Sequence, residues 1–270
     1  MKATTSIISR VYLIFVFIIL YIPIIFLIVY SFNSGDQMHG WEGFSLVHYK
    51  ELFSDTRIIE IVINTLIVAL LSSLIATVIG TMGALFIYQL QNRIVSNSVL
   101  SLNNILMVSP DVIIGASFLI LFTALGFSLG FSSVLLAHIA FSIPIVVLMI
   151  LPQLKKIPKS YIDASYDLGG NYRQTLTRVI LPLITSGIFA GFFMAFTYSL
   201  DDFAVTFFVT GNGFSTLAVE IYSRARQGVS LEINALSTLM FLASLLLVLG
   251  FYLINRTNEK QLSAKPKGGS

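Results

Sequence analysis

Six long apolar runs separated by polar stretches organise this chain of 270 residues. They lie at roughly 11–32, 61–89, 99–125, 131–151, 183–209 and 235–254. Each is long enough for a helix to cross a bilayer, which takes about 20 mostly apolar residues. Tyr12, Tyr30, Tyr88, Tyr198 and Tyr252 stand towards their ends, where an amphipathic ring suits the membrane–water interface. The pattern predicts an all-α integral membrane protein with six transmembrane helices. An even number of crossings puts both termini on one side. The N-terminus, the turn at 89–98, the loop at 152–182 and the C-terminal tail hold 12 of the 16 Lys and Arg residues. Positive charge collects on the cytoplasmic side, so both termini and that loop are assigned to the cytoplasm. The expected organisation is a transmembrane domain over 1–258 and a cytoplasmic tail over 259–270, disordered or appended. No small-residue cleavage site follows the first run, which favours a retained anchor over a signal peptide.

Between the runs, two polar stretches carry secondary-structure signals. Leu46, Tyr49, Leu52 and Phe53 suggest a short amphipathic helix on the outer surface, after an acidic segment holding the only tryptophan, Trp41. Tyr161, Ile162, Ser165 and Leu168 fall at helical spacing in the cytoplasmic loop, and Gly169-Gly170 supplies a stop. Within the second run, Ala69, Ser73, Ala76, Gly80 and Gly83 form one small-residue face for close helix packing. Gly187, Gly191 and Ala195 do the same in the fifth, and Asp202, seven residues on, is expected to continue that face.

Composition narrows the chemistry. At 56% hydrophobic and 11% charged residues, with mean hydropathy +0.88, the chain has too little polar surface for a water-soluble fold of this length. There is no cysteine, and His39, His48 and His138 are scattered without ligand-like spacing, so no metal site is expected. His138 is expected to meet a neighbouring helix. No phosphate-binding Gly-x-x-x-x-Gly-Lys-Ser/Thr motif occurs, so no nucleotide cofactor is assigned to this chain. The pI of 9.1 follows from basic cytoplasmic loops and does not call for nucleic acid.

Acids are rare inside the runs, and three stand out: Asp111, Asp201 and Asp202. Asp111 follows Ser109-Pro110, where proline breaks the helical ladder, at about 18 Å along the third run at ~1.5 Å per residue. An ionised carboxylate at such depth costs roughly 2.5–3.5 kcal/mol, so it should face a pathway or meet a cation. The other reading is an aspartate capping the helix that resumes after the break. Asp201 and Asp202 either line the same pathway or sit in outer headgroup water. No Lys or Arg accompanies these acids in the runs. A common pore would therefore be negative, and Tyr198, Phe203 and Trp41 could hold ammonium groups through their ring faces. That chemistry favours a polyamine or another cation over an anion or a sugar. No nucleophile–base pair lies inside the runs to suggest an enzyme.

Asp163-Ala164-Ser165, Gly169, Val179 and Leu181-Pro182 match, step for step in spacing, the "EAA" loop of bacterial ABC-importer permeases, with Asp for Glu, Ser for Ala and Val for Ile. Tyr21-Ile22-Pro23, Ser31-Phe32-Asn33, Ser109-Pro110-Asp111, Ser199-Leu200-Asp201-Asp202, Phe208 to Gly211, Ile221 to Ser223, Gly228 to Ser230 and Asn234 to Leu236 resemble, in order, the second permease subunit of spermidine/putrescine importers. The resemblance implies a type I ABC-importer permease fold in the inner membrane. It implies a sister permease subunit, an ATPase dimer docking on 161–170 that carries the ATP and Mg, and a periplasmic polyamine-binding protein. Asp163, Ala164, Ser165, Gly169, Leu181 and Pro182 would then be the ATPase-coupling residues, and Asp111, Asp201 and Asp202 would lie along the polyamine route. A permease for ferric ion, thiamine or an aminophosphonate shares these features except an acid at 111. A proton-coupled secondary transporter would instead call for inverted repeats.

Overall fold

A computed structural model describes residues 2–35, 38, 40–227 and 231–263, with side chains undescribed at 2–8, 227, 247 and 250–263. His39, Gly228 to Ser230 and Lys267 to Ser270 lie outside the described residues. The all-α expectation holds. In order, the helices are α1 (Lys2–Tyr30), α2 (Val47–Ser54), α3 (Thr56–Gln89), α4 (Arg93–Val108), α5 (Asp111–Ala124), α6 (Phe131–Lys155), α7 (Lys159–Asp167) and α8 (Tyr172–Thr175). A π-helical turn (Leu176–Ile180) follows, then α9 (Leu181–Leu183), α10 (Thr185–Asp201), α11 (Ala204–Val209), α12 (Leu217–Gln227) and α13 (Leu231–Ser263). Among the described residues the one β-type pairing is an isolated bridge between Asn33 and Phe44.

Among the described residues, three helices, α1, α3 and α6, are long and apolar enough to span a bilayer, and the number rises to five if each of two bent pairs is one span. The run at 99–125 is one such pair: α4 and α5 meet at 102°. Ser109 and Pro110 are extended (ψ 138° and 133°), in keeping with proline's disfavouring a helical residue before it and offering no N–H. A depth for Asp111 counted along one straight helix therefore does not apply. The run at 183–209 is also interrupted. It bends by 65° between the segment Tyr172–Leu183 and α10, and breaks again at Asp202 before α11. α13 contributes a shorter apolar stretch, Leu231–Leu246. Among the described residues, three single helices, two bent pairs and this shorter stretch stand where the sequence shows six runs, because a run of apolar residues does not record the bends within it.

The chain divides into two compact units, Met1–Glu60 with Glu220–Tyr252, and Ile61–Val219 with Leu253–Ser270. In the first, buried Asn33 organises the segment after α1, donating to Gly40 O (2.8 Å) and accepting from Glu42 N–H (2.7 Å). The expected helix at Leu46–Phe53 is α2, with His48 and Leu52 buried. Tyr49 reaches back to the Ser31 hydroxyl (2.7 Å), and Trp41 lies edge-on to Tyr30. Arg224 holds three carboxylates, Glu220 (2.8 Å), Glu232 (2.9 Å) and Asp55 (3.3 Å). Burial pulls the Asp55 carboxyl upward, but hydrogen bonds from Ile58 N–H, Arg224 and Arg57 N–H outweigh it and leave the group below its ordinary 3.8. A depressed acid adds stability that is fully present above the unfolded value and lost as pH falls through the folded one. Arg224→Ala should move Asp55 part of the way back towards 3.8, since the bonds from Ile58 N–H and Arg57 N–H remain, so the variant loses part of this contribution at pH values above 3.8 and is little changed well below; titration of the Asp55 carboxyl by NMR checks it.

The second unit is built on α6. Ala69, Ser73, Ala76 and Gly80 of α3 are buried as expected, as are Gly187, Gly191, Ala195 and Ser199 of α10. Ser199, and not Asp202, is the fourth member of the α10 face, since the helix ends at Asp201. The glycines let backbones meet: a Cβ on Gly80 would lie 2.7 Å from Val146 Cβ, and one on Gly191 would lie 3.2 Å from Val146 Cγ1. Val146 is thereby packed by both helices. Gly80→Leu should destabilise the unit by about 1–3 kcal/mol through overpacking, read as a lowered melting temperature in detergent. Gly115 likewise seats α5 on α11, its Cβ position being 3.0 Å from Val205 Cα.

Candidate functional site

The breaks flanking Asp111 and Asp202 bring the sequence-predicted acids together. Asp111, Tyr198, Asp201, Asp202 and Phe203 line one cavity of about 400 Å³, with Met194, Thr197 and Ala204 completing it. None of these lining residues is a lysine or arginine. Asp111 is the first residue of α5, where the exposed N–H groups favour a negative charge. Its carboxylate accepts a hydrogen bond from the Tyr198 O–H (2.8 Å). Pro110 holds the cap position of α5 without a side-chain cap hydrogen bond, and the Asp111 carboxylate turns to Tyr198 instead of capping the helix. Tyr198 is itself oriented by an edge-to-face contact with Phe141 of α6 (5.0 Å between centroids). Asp201, one helical turn after Tyr198, is exposed on the same cavity.

Asp202 is held differently. Its Oδ2 accepts from the Thr206 N–H and O–H, both at 2.8 Å, and lies 3.5 Å from His138 Nε2. Its Oδ1 takes only a long bond from Val205 N–H (3.4 Å). The aspartate thus caps α11, which explains the second break: a carboxylate that closes the orphan amides of a new helix cannot also continue the old one. His138 is fully buried on α6 and joins three elements, facing Ser199 Oγ (2.6 Å) and Thr206 Oγ1 (2.8 Å). Ser199 is 3.0 Å from Ser72 Oγ of α3. Sequence reading placed His138 against a neighbouring helix but missed its partners, since Ser72, Ser199 and Thr206 carry no motif. A polar residue every fourth position from the small-residue face was the available signal. Trp41 belongs to the first unit, with its indole half exposed.

A second concavity, of about 570 Å³, is lined by Tyr161, Ala164, Ser165, Leu168 and Gly169, which lie between α6 and α8, together with Gln174, Arg178 and Val179. The helix expected there is α7. Its end is a paired glycine stop: Gly169 has φ +78°, its N–H bonds Tyr166 O (2.9 Å), and the Gly170 N–H bonds Ser165 O (2.9 Å). Ser165, where the sequence departs from alanine, uses its hydroxyl on Thr175 (2.9 Å) and so ties α7 to α8. Asp163 and Ala164 are exposed, and Leu168 is 89% exposed at the tip. Leu181 packs against the core beneath, while Pro182 is exposed. The segment thus presents an apolar tip at the glycine-capped end of α7.

Comparison with known proteins follows this geometry. Residues 76–263 match the family described as binding-protein-dependent transport system inner membrane component. The chain is 37% identical over 244 residues to the spermidine/putrescine transport system permease protein PotC of Haemophilus influenzae, covering 90% of this chain and 95% of that protein. It is 38% identical to the PotC of Escherichia coli strain K12, covering 89% of this chain and 91% of that protein. Among solved structures, a bacterial ABC transporter involved in import of the acidic polysaccharide alginate has a chain that aligns with a TM-score of 0.74 at 16% identity, covering 95% of this chain and 96% of that one. The last shares the fold.

Proposed function

Since the chain belongs to the family of binding-protein-dependent transport system inner membrane components, we propose that it is a permease subunit of an ATP-driven importer whose cargo is a polyamine, spermidine or putrescine. The observation that carries the substrate is the cavity in which Asp111, Asp201 and Asp202 meet Tyr198 and Phe203 without a lysine or arginine. A linear polycation supplies the missing counter-charges at more than one point, and the aromatic rings accept its ammonium groups. The PotC relatives, named for spermidine and putrescine transport, support the same cargo.

In this proposal the chain crosses the inner membrane six times, with both termini cytoplasmic, and uses α4–α5 and the α9–α10 region as broken spans. It makes and breaks no covalent bond. A sister permease subunit completes the pathway, and an external polyamine-binding protein delivers the cargo. A pair of ATPase subunits, holding ATP and Mg, docks on α7 through Asp163, Ala164, Ser165 and Gly169. Closure of that pair moves α7, and Leu181-Pro182 pass the motion to α10, opening the acidic cavity first outward and then inward. Trp41, half exposed on the first unit, is offered as a cation–π contact for arriving cargo. The test is uptake of radiolabelled spermidine and putrescine into proteoliposomes holding the whole complex. Saturable, ATP-dependent uptake is expected; its absence for both amines would remove the polyamine assignment.

A further inference from the structure

His138 is fully buried, and the transport reading gives it no task. Its proton inventory is nonetheless readable. The single hydrogen of the Thr206 hydroxyl goes to Asp202 Oδ2 (2.8 Å), so Thr206 Oγ1 can only accept from His138 Nε2, also at 2.8 Å. Nε2 therefore carries a proton, and it stands 3.5 Å from the same carboxylate oxygen. On the other side of the ring, Nδ1 faces a chain of hydroxyls: Ser199 at 2.6 Å, Ser72 a further 3.0 Å on, and then Ala69 O at 3.3 Å from Ser72. With a neutral ring, Ser72 donates to Ser199 and Ser199 donates to Nδ1. With a charged ring, Nδ1 donates to Ser199, which donates to Ser72, which donates to Ala69 O. The chain is satisfied either way without moving a heavy atom.

We propose that His138 is a positioning residue of the cation site. Through Thr206 it fixes the Asp202 carboxylate at the break between α10 and α11, so that Oδ2 is taken by protein donors and Oδ1 is left for cargo. Through Phe141, whose ring is 4.8 Å from the imidazole and 5.0 Å from the Tyr198 ring, the same side chain steadies the hydroxyl that holds Asp111. The charged and titratable groups around it are Asp202 from the α10–α11 junction, with Asp111, Tyr198 and Asp201 beyond on the cavity; α3 presents only hydroxyls. This inference rests on the import reading, since it assigns the carboxylate to a cationic cargo.

The test compares wild type, His138→Leu, His138→Gln, Thr206→Val and the Leu/Val double variant in the reconstituted complex, reading cargo moved per ATP hydrolysed. A defect of folding or assembly lowers transport and hydrolysis together and leaves that ratio alone. Mispositioned Asp202 lets hydrolysis run without transfer, so His138→Leu and Thr206→Val should each lower the ratio about tenfold, in line with loss of one buried hydrogen bond. The double variant should be no worse than the poorer single. Glutamine can donate to Thr206 and accept from Ser199, so His138→Gln should keep the ratio near wild type. An unchanged ratio in Thr206→Val overturns the proposal even where His138→Leu fails to assemble, as does a double variant with fully additive losses. A readout that needs no cargo runs beside it: ¹⁵N spectra of histidine-labelled complex, with His138 assigned by His138→Gln, should show the proton on Nε2, and a neutral Nδ1–H ring overturns the proposal. Absence of polyamine uptake in wild type speaks against the import reading alone, and leaves the ring tautomer to decide this one.

Discussion

Asp111→Asn is expected to collapse polyamine uptake by about a hundredfold while the partner ATPases keep their basal rate. Asparagine preserves the side chain's shape, and its carbonyl oxygen can still accept the Tyr198 hydroxyl. What it removes is the charge at the start of α5. A cargo ammonium some 4 Å from that carboxylate gains about 4 kcal/mol at the effective dielectric of a protein margin, and a hundredfold loss needs about 2.7 kcal/mol of it. Two further substitutions order the acids. Asp201→Asn should cost less, because Asp201 is exposed and has no hydrogen-bonding partner among the described residues. Tyr198→Phe should cost least of the three, since it removes the donor that orients Asp111 and leaves the charge in place. Uptake of labelled spermidine in proteoliposomes, with phosphate release measured in the same vesicles, gives both quantities. Normal uptake in Asp111→Asn would reduce that residue to a favourable first-turn aspartate of α5 and move the charge role to Asp201 and Asp202.

The sequence disclosed the chemistry of this cavity more fully than its shape. Charge scarcity inside apolar runs was enough to single out Asp111, Asp201 and Asp202, because a membrane segment retains an ionised group only where something meets it. The bends that gather them were half visible. Pro110 announced the first, through its missing N–H. The second, at Asp202, has no proline or glycine to mark it; it arises from a side chain capping the helix that follows, and only the fold shows that Thr206 and His138 converge there. Continuation of the α10 small-residue face to Asp202 was the natural extrapolation of a period near four, and the structure ends that face at Ser199 instead. In the polar loop at 152–182, by contrast, spacing and the glycine pair were sufficient for α7, since both the helix and its stop are local. The Thr175 partner of Ser165, ten residues on, was not legible.

In the import mechanism proposed above, the same local character makes α7 the place where coupling can be broken without disturbing the pathway. Ala164→Asp with Gly169→Asp should abolish uptake and leave ATP hydrolysis unresponsive to the binding protein, while the chain still inserts. Both positions are exposed, so neither change disturbs a buried core, although an aspartate at Gly169, whose φ is +78°, also strains the stop of α7. The new carboxylates place charge on a face whose tip, Leu168, has its apolar side chain almost wholly in solvent, and desolvating them against a partner costs several kcal/mol without a matching cation. Gly170→Ala probes the geometry alone. A methyl group there would lie 2.6 Å from Ser165 O, the acceptor of the Gly170 N–H, so the paired stop must open and the tip turn away from its present direction. Partial uncoupling is expected from that single methyl, and full uncoupling from the two aspartates. Measuring binding-protein-stimulated ATPase activity beside uptake separates the cases: stimulation lost with uptake places the coupling on α7, whereas both retained in the double aspartate variant would return this segment to an ordinary cytoplasmic loop.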